Sequence, residues 1–316
     1  MGMYTRRAAM AQGMWSALIA LTLVLLPGMA ATTATAADAP PEATAALQWL
    51  RTQQHADGGF PGFSGPDSDP GDSADAAFAF LAAGVPLDRV KNGDASLLDY
   101  LRATADSAKP GVAAKYLLIV ASPGVPAASF GAGLAARALS EQDGTTGVYG
   151  GSYFIHALVV LAAAATVSPD TAQKIDNGVL LKAQHPDGGW SFDGKMTSDT
   201  NTTALAVQAL VASGQGGDAT TRALAYLEGT RMPDDLYPYD TNADAGDADS
   251  TAYVIQAKIA AQSAPAEIAR ATAALRMLQG PNGALQFQPT VPGDNFLATV
   301  QAVPALAGRA FPLIGA

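Results

Sequence analysis

Gln184-His-Pro-Asp-Gly-Gly-Trp190 is the stretch that decides the fold. An amphipathic segment, Thr171 to Lys182, runs into it. A polar loop leaves it and leads to Ser198-Asp199-Thr-Asn-Thr-Thr-Ala-Leu-Ala-Val-Gln-Ala-Leu210, which is nearly all apolar beyond its first turn. The unit therefore reads as a surface helix, a glycine turn ending in an aromatic, a loop and a buried helix. Gln54-His-Ala-Asp-Gly-Gly-Phe60 repeats it position by position, and Asp72-Ser-Ala-Asp75 opens the apolar run that follows. A fainter copy, Gln279-Gly-Pro-Asn-Gly-Ala-Leu285, precedes Asp294-Asn295 and the run Phe296 to Leu306. Such a unit cannot bury its own apolar face and must stack on its neighbours.

Between Pro41 and the end of the chain, two kinds of helical pattern alternate. Amphipathic segments near 43–54, 94–105, 130–141, 171–184, 218–229 and 266–278 carry one polar face, which places them outside. Segments near 73–84, 111–121, 151–166, 199–213, 250–262 and 295–307 are apolar nearly all round, which places them inside. No strand pattern interrupts them. Pairing outer with inner helices predicts an all-α protein, an (α/α)6 toroid of six helical hairpins, whose closure removes the exposed ends of an open solenoid. All inner helices then point one way. Their N-termini and the long outer-to-inner loops share one mouth, and that mouth is where a site is expected.

Composition narrows the function. Of 316 residues, 49% are hydrophobic and the net charge is −10, which argues against nucleic acid as a partner. Cysteine is absent, so there is no disulfide framework, thiolate metal site or cysteine nucleophile. Residues 1–36 read as a signal peptide: Arg6-Arg7, an apolar core from Ala17 to Met29, and Ala34-Thr35-Ala36 as a cleavage site. An uncleaved anchor is the alternative; with cleavage no membrane span is expected. Residues 37–42 form a linker and 43–316 the toroid. The expectation is a bacterial monomer that is secreted, periplasmic or at the cell surface.

The glycine turns, Gln184 to Trp190 and Gln54 to Phe60, resemble the QW repeats of squalene-hopene and oxidosqualene cyclases, in the terpenoid cyclase and protein prenyltransferase superfamily. Lys115 to Ala121, Ala128-Ser-Phe-Gly131 and Gly147-Val-Tyr-Gly150 resemble the α-domain of intrinsic factor and transcobalamin and their bacterial relatives. Class II terpene cyclases carry Asp-x-Asp-Asp at an inner-helix start, with the middle Asp as proton donor. Here Asp247-Ala-Asp249-Ser250 matches two of those acids, so the resemblance would make Asp249 the general acid with Asp247 beside it. The prenyltransferase zinc site needs a Cys that this chain lacks.

Each candidate has a structural alternative. Asp72, Asp75, Asp199, Asp249 and Asp294 all stand near inner-helix starts, where N-capping explains an acid. Trp190, Phe192, Tyr237 and Tyr239 could line an apolar mouth together with Asp75 and Asp199, or pack between repeats. Asp240, Asn242 and Asp244 alternate as calcium ligands do, without the closing Glu. His55 and His185 are equivalent turn positions, and His156 is expected in the core. Two functions follow. The first is a secreted module that binds a hydrophobic or corrinoid ligand at the mouth. The second is a cyclase-like enzyme using Asp249. An (α/α)6 glycosidase with two opposed carboxylates is a third possibility.

Overall fold

The computed structural model describes residues 39–62, 65–131 and 133–313; the expected signal peptide lies outside them. Thirteen α-helices occur among the described residues. The outer ones are α1 (Pro41–Arg51), α3 (Leu97–Thr104), α5 (Leu134–Ala138), the pair α7 (Pro169–Asp176) and α8 (Val179–Ala183), α10 (Asp218–Thr230) and α12 (Pro265–Arg276). The inner ones are α2 (Pro70–Ala82), α4 (Pro110–Ala121), α6 (Tyr153–Thr166), α9 (Thr200–Ala212), α11 (Ala248–Ala260) and α13 (Phe296–Leu306). Each inner helix packs on the next, and α13 packs back on α2, so the ring closes. Proline opens α1, α2, α4, α7 and α12, where its missing N–H costs nothing.

Four local departures from the sequence reading stand out. The outer pattern at 171–184 is broken into α7 and α8 because Asn177 and Gly178 both take the left-handed conformation. The pattern at 130–141 keeps only the short α5, after a 3-10 turn from Ala127 to Phe130. A small hairpin, β1 (Pro61–Gly62) with antiparallel β2 (Gly65–Ser68), stands in the first long loop. The first helix also begins at Pro41, inside the expected linker.

The glycine turns join neighbouring hairpins. The Gln184 amide donates to Gly188 O and to Ala219 O, both at 2.8 Å, so one side chain ties its own turn to the next outer helix. Gln54 donates likewise to Gly58 O and, in the connection that precedes α3, to Val90 O, at 2.8 and 3.0 Å. Gln279 reaches Gly283 and Glu42, both at 2.9 Å, which closes the outer ring as well. Gly188 sits at φ +93°, and a Cβ there would lie 2.6 Å from Arg222 O. Both the backbone conformation and the close approach require glycine. The aromatic that follows anchors the turn to its inner helix: Phe60 N donates to Ser73 Oγ and Trp190 N to Thr203 Oγ1, each at 2.9 Å. Tyr237 N does so to Thr251 Oγ1 and Leu285 N to Thr299 Oγ1, again at 2.9 Å. The Tyr237 turn is thus a further copy, hidden in sequence because Asp235 holds the positive φ, 66°, where the other copies have Gly.

Candidate active site

The inner-helix starts separate capping acids from the rest. Asp247 caps α11: Oδ1 accepts from Ser250 N at 2.7 Å and Oδ2 from Ser250 Oγ at 2.9 Å. Asp199 caps α9 through Thr202 N at 2.7 Å, Asp69 caps α2, and Asn295 caps α13. The capping role expected for Asp75, Asp249 and Asp294 is therefore not theirs. Asp294 is an exposed acceptor of the Asn282 amide at 2.8 Å. Asp75 and Asp249 lie inside their helices and turn into the bore.

Asp249 is 9% exposed, and its Oδ1 is fully buried without a hydrogen-bond partner among the described residues. Asp75, equally buried, pairs with Lys115 Nζ of α4 at 2.7 Å. Lys115 also donates to Gly71 O at 3.3 Å. Tyr253, one turn beyond Asp249, is buried and meets Phe154 of α6 edge-on, with ring centroids 5.8 Å apart. Helices α6 and α11 are not neighbours in the ring, because α9 lies between them; α13 likewise separates α2 from α11. These groups therefore meet across the axis.

Burial drives the protonation states. It pushes Asp249 up to about 8, and the nearby charges of Asp247 and Asp75 push the same way. The positive end of α11 opposes this by at most about 2 kcal/mol, less than an unpartnered buried carboxylate loses on leaving water. Asp247 rises only to about 6, because the Ser250 N–H and O–H favour its anion against burial. Burial raises Asp75 too, opposed by Lys115. Burial, then the charges of Asp75 and Asp249, hold the Tyr253 phenol well above its usual range. At neutral pH Asp249 is thus mainly the acid and Asp247 mainly the anion: two carboxyls two residues apart, separated by environment.

The remaining candidates scatter. Trp190 and Tyr237 are fully buried and do not line the mouth. Trp190 Nε1 donates to Leu180 O at 2.8 Å and the Tyr237 hydroxyl to Glu228 Oε2 at 3.0 Å, so both are repeat anchors. Phe192 and Tyr239 are 47% and 43% exposed, beside Met196 at 62%, and give the mouth an apolar rim. Asp240 Oδ1 accepts from Asn242 N at 2.8 Å. Among the described residues, no group of three or more acidic or histidine side chains is set to hold a metal ion. His156 is a core residue: Nδ1 accepts from Tyr149 N at 3.3 Å, so Nε2 carries the proton toward Asp176 Oδ1 at 3.1 Å. His55 and His185 reach Ser68 and Ser198 in matching turns, and each Ser donates onward to Asp57 or Asp187, the reverse of a nucleophile's arrangement.

Sequence reasoning missed Lys115, Phe154 and Tyr253 as site residues. A lysine inside the apolar run of α4 was the available signal. A cavity of 720 Å³ also lies away from the loop-rich mouth, at the C-terminal ends of the inner helices. A smaller recess of 130 Å³, between β1 and the starts of α2 and α13, opens at the mouth.

Comparison of the whole fold returns the type II terpene cyclase MstE from Scytonema. A variant in complex with its product, merosterolic acid A, has a TM-score of 0.61 and 16% identity over 84% of this chain and 95% of the other. The fold is that of the type II terpene cyclases. A second cyclase structure, a variant with the substrate geranylgeranyl dihydroxybenzoate, matches over the same shares with a TM-score of 0.61 and 16% identity. A protein from Actinoplanes matches at a TM-score of 0.58 and 18% identity over 84% of this chain and 98% of its own. No family model matches the sequence, and no curated protein matches it. The likeness to the cyclases thus rests on the toroid, and the resemblance to the cobalamin carriers gains nothing from these comparisons. Among the described residues no helix is long and apolar enough to cross a membrane.

Proposed function

We propose that the bore of the toroid takes an apolar polyprenyl-type ligand and that Asp249 delivers a proton to it, the opening step of a type II cyclisation. One observation carries this reading: a buried carboxyl on the bore, one oxygen unpartnered, held neutral up to about pH 8. A general acid must still hold its proton at the working pH. In the step, the Asp249 O–H bond breaks and the proton adds to one carbon of an alkene. The other carbon is left cationic and Asp249 becomes a carboxylate. The rings of Tyr253 and Phe154 lie on the bore, where an aromatic face can stabilise such a cation. Loss of a proton from the final cation ends the reaction. The cyclase fold, and the prenyl-type ligand in one of the similar structures, support this reading. Ser250, where the cyclase motif has its last Asp, serves here to hold Asp247 as the neighbouring anion.

The test is product formation from geranylgeranyl-type substrates by the parent, Asp249→Asn and Asp199→Asn. Cyclised product from the parent and from Asp199→Asn, absent in Asp249→Asn, is the expected result. No product from the parent refutes the enzymatic reading. A second reading, ligand or partner binding at the mouth without chemistry, is favoured by the exposed Phe192, Met196 and Tyr239. It predicts binding that is lost in Phe192→Ser and Tyr239→Ser and kept in Asp249→Asn. Secretion is part of the proposal and is checked by sequencing the N-terminus of protein recovered from the culture medium.

A further inference from the structure

The 720 Å³ cavity is independent of Asp249. It begins around Ile259, ten residues along α11 from Asp249, so about 15 Å of helix separates the two. Its walls are the last turns of α2, α9 and α11, with Leu81, Val211 and Ile259 among the aliphatic side chains. The segments that follow α2, α4 and α13 form the remaining walls. The segment after α13 is held from both sides: Phe311 N donates to the buried Gln208 Oε1 at 2.8 Å, and the Phe311 ring meets Phe78 edge-on at 4.7 Å. The volume falls in the range of small-molecule sites, about 300–1,000 Å³.

One formal charge stands among the residues lining this cavity, and it is Arg309. Its guanidinium makes no ion pair among the described residues, although the chain carries a net charge of −10. Arg137, Arg231, Arg270 and Arg276 are paired with carboxylates, while Arg51 and Arg222, which like Arg309 form no ion pair among the described residues, donate to the neutral oxygens Arg89 O and Gln184 Oε1. What sets Arg309 apart is its place on an aliphatic cavity. An aliphatic cavity with one unpaired guanidinium at its rim fits an amphiphile: the tail replaces water on apolar walls, and an anionic head takes the planar fork.

We propose that this end of the toroid is a binding site for an aliphatic carboxylate, with Arg309 pairing its head and the cavity taking its tail. The probe is dodecanoate, with dodecan-1-ol as the uncharged control, titrated calorimetrically into the full chain at neutral pH. Dodecanoate should bind with a stoichiometry of one. Arg309→Ala should weaken dodecanoate by about tenfold or more and leave dodecan-1-ol unchanged, the size expected for one charge-assisted contact. Ala212→Phe, which narrows the cavity, should weaken binding of both, with the melting temperature showing that the variant is folded. Asp249→Asn should bind dodecanoate as the parent does, which separates this site from the proposed acid chemistry. Absence of dodecanoate binding, or binding untouched by both Arg309→Ala and Ala212→Phe, overturns the proposal.

Discussion

Replacing Asp249 by Asn should make the protein more stable at pH 8 than the parent and flatten its pH dependence. Burial raises the folded-state value of Asp249 to about 8, against about 3.9 for an unfolded aspartate. The folded chain therefore binds the extra proton. Stability from this group is complete below about pH 4 and falls as pH climbs toward 8. Asp247, raised to about 6, also titrates in the lower part of pH 6 to 8, but it is present in both proteins, so the difference between parent and variant over that window reports Asp249. Each pH unit there costs at most about 1.4 kcal/mol, and the total between pH 6 and 8 is about 2 kcal/mol. For a domain of this size that is a fall in Tm of about 4–8 °C. An amide does not titrate, so Asp249→Asn should lose this fall. The assay is thermal unfolding of parent and variant in a series of buffers from pH 5 to 8. Every other titratable group is common to both proteins and cancels in the difference. Parallel Tm profiles would refute the reasoning, because they would mean that Asp249 is solvated or paired in the folded protein.

Two further outcomes test the scaffold. Gly188→Ala should cost about 2 kcal/mol or more, since it adds a positive-φ penalty to a close approach on Arg222 O, whereas Gly65→Ala, with open space at its Cβ, should melt like the parent. His156→Leu should destabilise by about 2 kcal/mol or more in chemical denaturation, because it leaves buried Asp176 without its ring donor and Tyr149 N without an acceptor.

Much of the architecture was legible before any coordinate. The copies at Gln54, Gln184 and Gln279 could be aligned by eye because glycine, the one residue free to take positive φ, recurs at a fixed place in each. The copy at Tyr237 was not legible, since Asp235 supplies the same backbone conformation with a side chain that gives no such signal. Its aromatic therefore read as a mouth residue. For Trp190 the sequence left lining and packing open for a related reason: an aromatic after a glycine turn packs inward or outward according to the polar partner within reach, here Leu180 O of the outer helix that leads into the turn. Asp199 caps as the sequence led one to expect, but at the other inner-helix starts the cap is a neighbouring residue, Asp69, Asp247 or Asn295, because a cap is defined by where the backbone enters the helix and several acids crowd each start.

By itself the sequence determined the toroid. Alternation of amphipathic and fully apolar helices is a statement about local periodicity and burial, and six such pairs with stapled turns have one way to close. It also marked Asp249 as an acid worth following. Only the tertiary structure decided which acid is buried and unpartnered. That depends on Asp75, Lys115, Phe154 and Tyr253 reaching the axis from helices that are not adjacent in the chain, where the loss of water, rather than any residue type, sets which carboxyl keeps its proton.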